Sequence, residues 1–200
     1  MKLVLSALTT ALLMSSTFAN AAPFKLDAAH SGVGFTVKHL VIFKVKGEFK
    51  KVEGTFDFDE ATMTVDKVKA VVDAGSINTN EPDRDKHLKS PDFFDVAKTP
   101  NLTFTAGKFT VTAGKAVSVD GKLTMKGIEK PVKLDVTYAG KTKDPWGNER
   151  IGFNITGKIK RSDWGMTWNK ALEAGGVTVG DEIEIAIDGE AMMDAPKAKK

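Results

Sequence analysis

The three histidines, His30, His39 and His87, are the side chains best suited to acid–base or metal chemistry near neutral pH. None stands at a spacing that builds a metal site. There is no H-x-x-x-H pair and no Glu-x-x-His element, so no metal ligand set is read. His30 precedes Ser31 in Asp27-Ala28-Ala29-His30-Ser31, which raises the idea of a base beside a nucleophile. Neighbours on a strand point to opposite faces, so these two cannot readily share a hydrogen bond. No G-x-S-x-G elbow, P-loop or G-x-G-x-x-G is present. The chain has no cysteine, which removes thiol nucleophiles and thiolate metal sites. No catalytic residue, no metal ligand and no cofactor is assigned.

Two polar clusters remain. The first runs from Ser76 through Asn80, Arg84 and His87 to Leu88. Residues 82–89 suit a short helix, with Asn80 or Glu81 near its start and Pro91 beyond its end. Arg84 then shares a face with His87 and Leu88. The cluster reads either as a loop pinned by ion pairs and backbone hydrogen bonds or as a mouth where Arg84 and His87 meet a polar headgroup. The second cluster is Arg161-Ser162-Asp163-Trp164-Gly165-Met166-Thr167-Trp168. Its aromatics and methionine suit a plug or lid, or simply core.

The elements that must position these residues are strands. Apolar residues alternate with polar ones in 33–37, 102–106, 117–125, 132–138, 151–159 and 183–189, the pattern of strands with one wet face. Two more strands are expected, at 65–73 and at 47–58. In the second the apolar parity switches between Phe49 and Phe56, which predicts a bulge near Lys50-Lys51. Turn residues separate the strands at Ala113-Gly114, Lys126-Gly127 and 144–148. Single helical turns are expected at 39–44 and 169–173. No βαβ rhythm is present, so a parallel sheet is not expected.

About eight long strands in one small domain favour a closed antiparallel barrel, because closure removes exposed edges. The fold class is therefore all-β, an eight-stranded antiparallel barrel with short helical segments. Such a barrel is wide enough to be filled by side chains or to hold one ligand. The inward set is apolar: Phe35, Val37, Phe56, Val72, Phe104, Leu123, Met125, Leu134, Phe153, Ile155 and Ile185. Small residues at inward positions, namely Gly121, Gly157, Gly189, Ala70 and Ala106, either ease strand curvature or leave volume for an apolar ligand. Three such glycines on three strands favour a hollow lumen.

Residues 1–21 do not read as part of the barrel. Lys2, an apolar run from Leu3 to Met14, and Ala19-Asn20-Ala21 make the three parts of a secretory leader. Cleavage is expected near Ala21, leaving residues 22–200 as the exported domain. The apolar run is too short for a bilayer span of ~20 residues, and no later segment is long and apolar enough to be one. The net charge of +3 comes from interspersed charges of both signs, which argues against nucleic acid as a partner. The basic tail 195–200 reads as a solvated terminus or a weak contact for anionic headgroups.

Several segments together resemble the YceI-like family of bacterial periplasmic, polyisoprenoid-binding proteins. They are His30-Ser31, Phe35-Thr36-Val37-Lys38-His39-Leu40, Gly54-Thr55-Phe56-Asp57-Phe58-Asp59, Ser76-Ile77-Asn78-Thr79, Arg84 to Asp95, Gly121-Lys122-Leu123-Thr124 and Arg161 to Met166. Trp164 stands where that pattern more often has Phe. The resemblance implies a lipocalin-like barrel with an isoprenoid lipid in the lumen, a polyprenyl phosphate or an isoprenoid quinone precursor. It also implies a periplasmic carrier that works as a homodimer, without catalytic residues. The alternatives are a lipid-modifying enzyme using His30 or His87, and a lipid-bound partner of a membrane redox protein. Transient membrane contact is part of the carrier expectation.

Overall fold

The computed structural model describes residues 21–172 and 175–194. The expected leader up to residue 20 and the basic tail lie outside the described residues. The strands in chain order are β1 (Ala22–Leu26), β2 (Gly32–His39), β3 (Phe43–Phe49), β4 (Val52–Asp59), β5 (Thr64–Asp73) and β6 (Ile77–Asn78). After the helix α1 (Pro82–Leu88) come β7 (Asn101–Ala106), β8 (Phe109–Thr110), β9 (Ala116–Met125), β10 (Ile128–Lys143), β11 (Glu149–Lys160) and β12 (Val179–Met193).

They form eight staves, because three staves are each broken once. β1 and β2 make the first, β3 and β4 the second, and β5 with β6 the third. The short β8 pairs with the start of β5. The neighbour order β1–β4–β5–β7–β9–β10–β11–β12 returns to β1. Every pairing is antiparallel, and β12 closes the ring on both halves of the first stave, at Ile185↔Phe35 and at Met193↔Phe24. The barrel is thus the eight-stranded, antiparallel form that the alternation implies, and the lipocalin-like one that the resemblance implies. Lys126 and Gly127, both at positive φ, make the two-residue turn between β9 and β10, a geometry that matches strand twist.

The parity switch at Lys50-Lys51 is a break between strands, not the expected bulge inside one strand. The Lys50 and Lys51 N–H groups donate to the Ser76 carbonyl and hydroxyl, at 3.2 and 3.0 Å. Those bonds replace ladder bonds, so the stave bends and both Phe49 and Val52 face inward and are buried. The expected helical turn at 39–44 is instead the hairpin turn Leu40–Ile42 between β2 and β3. The turn expected at 169–173 falls partly outside the described residues. Where described, it is not helical, and Ala171 bridges to Val177. The helix expected at 82–89 is α1, and Glu81 caps it by accepting from Asp83 and Arg84 N–H at 3.2 and 2.6 Å.

Buried side chains gather in two clusters, one toward each end of the barrel. Phe49, Ile77, Phe93, Met125, Trp164 and Met166 belong to one. Phe24, Phe58, Val111, Tyr138 and Ile151 belong to the other. Phe24 lies in β1, a strand that alternation alone did not single out.

Candidate functional site

Between the two clusters lies a cavity of about 290 Å³, close to the lower bound of ~300 Å³ for small-molecule sites. Its wall is overwhelmingly apolar. On β11 it is lined from Ile151 through Phe153 and Ile155 to Ile159, a run of about 26 Å at the rise of a strand. The cavity therefore follows the barrel axis and is not a local void.

All eleven residues expected in the lumen stand in this wall: Phe35, Val37, Phe56, Val72, Phe104, Leu123, Met125, Leu134, Phe153, Ile155 and Ile185. Met125 and Leu134 are buried, while the other nine are only half-buried. They sit on the inner face of a closed barrel, so the surface left open to them faces the cavity. Burying apolar area of this kind against a ligand is worth roughly 25 cal/mol per Å².

The inward glycines do not leave empty volume, which corrects the reading above. A Cβ on Gly121 would lie 2.4 Å from the ring of Phe104, and one on Gly189 would lie 2.4 Å from the ring of Phe153. On Gly157 it would lie 2.4 Å from Leu134 Cδ2. Gly189 and Phe153 are direct register partners, as are Gly157 and Leu134. Each glycine is covered by the side chain of an adjoining strand. That side chain lies flat on the wall and does not project across the lumen. The glycines keep the lumen open indirectly, by giving the rings somewhere to lie.

Among the described residues one cationic group with a buried side chain stands in the wall, in the segment that sequence reading gave to a plug, a lid or core. Arg161 is 5% exposed. Its Nε and one terminal nitrogen donate to the carbonyls of Gly180 and Val179, at 2.9 and 3.3 Å, and the other donates to the Met166 carbonyl. Among the described residues it has no carboxylate in salt-bridge contact. Burial pushes its pKa down, and the nearby Asp181 charge opposes this. The guanidinium thus ties the 166–180 segment to the end of β11 and puts a positive charge at one end of an apolar channel. Beside it, Trp164 is 1% exposed and donates its indole N–H to the Leu123 carbonyl at 3.1 Å. Met166 lines the cavity.

Arg84 and His87 are not part of the cavity wall. Arg84 donates from Nε to the Thr79 hydroxyl at 2.7 Å and from a terminal nitrogen to the Thr79 carbonyl at 2.8 Å. Asp85 accepts from the Thr79 N–H and hydroxyl at 2.9 and 2.5 Å. His87 Nε2 lies 2.9 Å from Asp92, and its ring meets Phe93 and Trp168 edge-on at 5.1 and 4.8 Å. Both side chains pin the 79–99 segment across the barrel end, the loop-pinning arrangement of the two that the sequence left open. Hydrogen bonds to Thr79 hold Arg84 there, not an ion pair with Asp85.

At the opposite end, Asp27, His30 and Glu190 bring ligand atoms within 4.8 Å of one another. Their spacing in sequence gave no hint of this, because β12 carries Glu190 to the break between β1 and β2. A cation of the chain's own occupies the centre. Arg150 donates to Asp27 at 2.7 Å, to Asp144 at 2.8 Å and to Glu190. His30 Nδ1 pairs with Asp27 at 2.9 Å. The His30 bond and then the Arg150 bond hold the Asp27 carboxyl down at about 2, and Asp27 in turn raises the His30 pKa. Asp27 and His30 form a carboxylate–imidazole pair, and among the described residues no hydroxyl bonds to it. Ser31 is turned away, and its hydroxyl exchanges hydrogen bonds with the Glu190 backbone at 3.2 and 3.0 Å.

Comparison with known proteins agrees with this geometry. The model of the YceI-like domain matches residues 24–191. Protein YceI of Salmonella newport is 38% identical over 180 residues, covering 89% of this chain and 92% of its own. The crystal structure of the Campylobacter jejuni YceI protein superposes with a TM-score of 0.68 at 38% identity, over 85% of this chain and 97% of that one. A polyisoprenoid-binding domain from Saccharophagus degradans shares the fold, with a TM-score of 0.63 at 18% identity over 87% and 99% of the two chains.

Proposed function

Because the chain belongs to the YceI-like domain family, we propose that it is a periplasmic carrier that holds an isoprenoid lipid in its barrel. The observation that carries this reading is the cavity that follows the barrel axis, walled by half-buried apolar side chains. A long, flexible, apolar chain is the ligand whose shape fits such a channel, and area removed from water supplies its affinity. A methyl-branched chain makes more contacts per unit length with rings lying flat on the wall. The description of the Saccharophagus degradans domain as polyisoprenoid-binding supports that choice. The eleven wall residues named above contact the chain. The lipid's head is the polar end of a polyprenyl phosphate or of a quinone precursor. Export follows from the leader pattern in residues 1–21. The function is binding, not turnover.

Native mass spectrometry of protein purified from its own periplasm, followed by lipid extraction, tests the reading. The expected result is a stoichiometric isoprenoid lipid and a mature chain that starts near Ala22. Lipid-free protein, or protein carrying only straight-chain lipids, overturns the isoprenoid assignment. A chain that retains residues 1–21 overturns the export assignment.

A further inference from the structure

The hairpin between β2 and β3 ends in four consecutive apolar residues that face solvent. Leu40 is 41% exposed, Val41 58%, Ile42 91% and Phe43 65%. Val177, 42% exposed, stands beside them. The Leu40 N–H donates to the Thr178 carbonyl at 3.0 Å, and Val41 packs on Gly176. The five side chains form one apolar prominence at the Arg161 end of the barrel. Its backbone is unusual too. Leu40 and Val41 both hold positive φ, at 50° and 68°, where a hairpin ordinarily uses Asn-Gly. A β-branched residue there is a genuine outlier, and such strain gathers where function requires it.

Directly below the tip the outer face carries lysines of β2 and β3 beside the β12 carboxylates Asp181, Glu182 and Glu184, of which Asp181 accepts from Ser162 and Glu182 pairs with Lys158. Lys38 and Lys44 are register partners, and Lys46 stands opposite Thr36 on the same face. Like charges opposite one another in a ladder destabilise it. Glu184 pairs with Lys44 at 2.8 Å, whereas Lys38 and Lys46 have no carboxylate in salt-bridge contact among the described residues. The wall residue Val37 lies on β2, and Val179 and Ile183 lie on β12, which pairs with β2 up to His39, so the tip stands over one end of the lumen.

We propose that this tip is a membrane anchor, inserting Val41, Ile42 and Phe43 among the acyl chains of an anionic bilayer while Lys38, Lys44 and Lys46 meet the headgroups. Projecting apolar side chains above lysines that have no salt-bridged carboxylate, Lys38 and Lys46, are complementary to a negatively charged lipid surface. A protein partner fits less well. An ordinary interface takes roughly 800 Å² from each side, and a convex tip of five side chains falls short of that. The anchor is independent of what the lumen carries. It brings the Arg161 end of the barrel to the surface from which a lipid enters or leaves.

The absence of cysteine makes the test site-specific. Ile42→Cys is labelled with an environment-sensitive dye and mixed with vesicles of phosphatidylcholine, alone or with phosphatidylglycerol. Trp146→Cys, at the opposite end of the barrel and 81% exposed in the native chain, carries the same dye as the comparison. The expected result is a blue shift at position 42 only, with the mixed vesicles only, weakened by salt. In co-sedimentation, Ile42→Ser with Phe43→Ser lowers vesicle affinity about tenfold or more and leaves the far-ultraviolet circular dichroism unchanged. No shift at position 42, a shift only at position 146, or undiminished binding by the double variant overturns the proposal. So does a dimer in sedimentation velocity that the double variant abolishes, which assigns the tip to a second copy of the chain. None of these outcomes depends on the lipid found in the lumen.

Discussion

Replacing the three wall glycines one at a time by alanine separates what each glycine makes room for. A comfortable carbon–carbon contact is about 3.5 Å. The added methyl starts 2.4 Å from its neighbour at all three sites, so something moves by about 1.1 Å. What moves differs. At Gly157 it is the far end of Leu134, and the nearest backbone atom is 3.5 Å away. A leucine rotamer change absorbs this, and the entropy gained by removing a glycine offsets it by about 0.4–1 kcal/mol. Gly157→Ala is therefore close to neutral. At Gly189 the ring of Phe153 alone must lift. The overpacking cost of about 1–3 kcal/mol, less the same offset, leaves about 1 kcal/mol. At Gly121 the ring of Phe104 is joined by the Thr105 carbonyl at 2.9 Å. Backbone must shift as well, and the cost rises to about 2–3 kcal/mol. At about 2–4 °C per kcal/mol for a domain of this size, thermal melts resolve the order. The lifted rings move into the lumen, so titration with the apolar dye N-phenylnaphthylamine weakens for Gly189→Ala and Gly121→Ala. Losing contact with one or two methylenes costs about 0.8 kcal/mol each, up to roughly tenfold in affinity. Equal destabilisation at the three sites, or unchanged dye affinity at all of them, refutes the view that these glycines seat side chains flat on the wall.

Four further outcomes follow from the site. Phe24→Ala, at a 2% exposed position, costs about 3–5 kcal/mol, whereas Ile155→Ala in the half-buried wall costs less than half as much and weakens dye binding more, by paired denaturation and titration. Arg161→Met leaves three carbonyls without their donor and loosens the 166–180 segment by about 3 kcal/mol, read as faster amide hydrogen exchange there while the β4–β5 amides are unchanged. Trp164→Phe keeps most of the packing and loses the bond to Leu123 O, so it costs only about 1 kcal/mol in chemical denaturation. The Asp27–His30 pair predicts a window in the melting temperature against pH. Asp27 is held down at about 2 against 3.8, so its contribution is complete above 3.8 and is lost as pH falls toward 2. His30 is raised above 6.5, so its contribution is complete below 6.5 and is lost as pH rises through the raised value. His30→Gln removes the alkaline slope and keeps part of the acid one, because Arg150 still holds Asp27.

The wall was readable from sequence because a strand's period of two is exact, and one parity error turns a whole face outward. Residues such as Phe104, Leu123, Phe153 and Ile185 therefore assign themselves. The breaks in the staves were less readable. At Lys50-Lys51 the parity change is visible, but whether a bulge or a break absorbs it depends on Ser76, which is distant in sequence and supplies the competing acceptors. The roles of the inward glycines depend on cross-strand register, which alternation within a strand does not specify. The same holds for the Asp27–His30–Arg150–Glu190 cluster. Three segments contribute to it, the β1–β2 connection, β11 and β12, and no sequence spacing links the three. Arg161 was visible as part of an aromatic segment, but its burial came only with the end of β11 and the return of the chain at Val179.

These pieces divide the barrel's tasks by position. The two clusters at the ends hold the fully buried rings, Phe24 and Trp164 among them, so the ends supply most of the packing that holds the staves closed. The middle is lined by side chains that keep surface open to the lumen. A ligand that binds the folded barrel alone adds stability in proportion to the logarithm of its concentration over its dissociation constant. The protein is therefore expected to be most stable when loaded, with the gain arising in the middle of the staves. On the proposed function, the segments that open to a long chain are those at the barrel end, where Arg84 donates to the Thr79 carbonyl and Arg161 to the Met166, Val179 and Gly180 carbonyls. Such bonds fix a loop but can break and re-form without repacking a core. The proposed function then assigns the barrier to loading to polar contacts at the Arg161 end, and the affinity to apolar contacts further in.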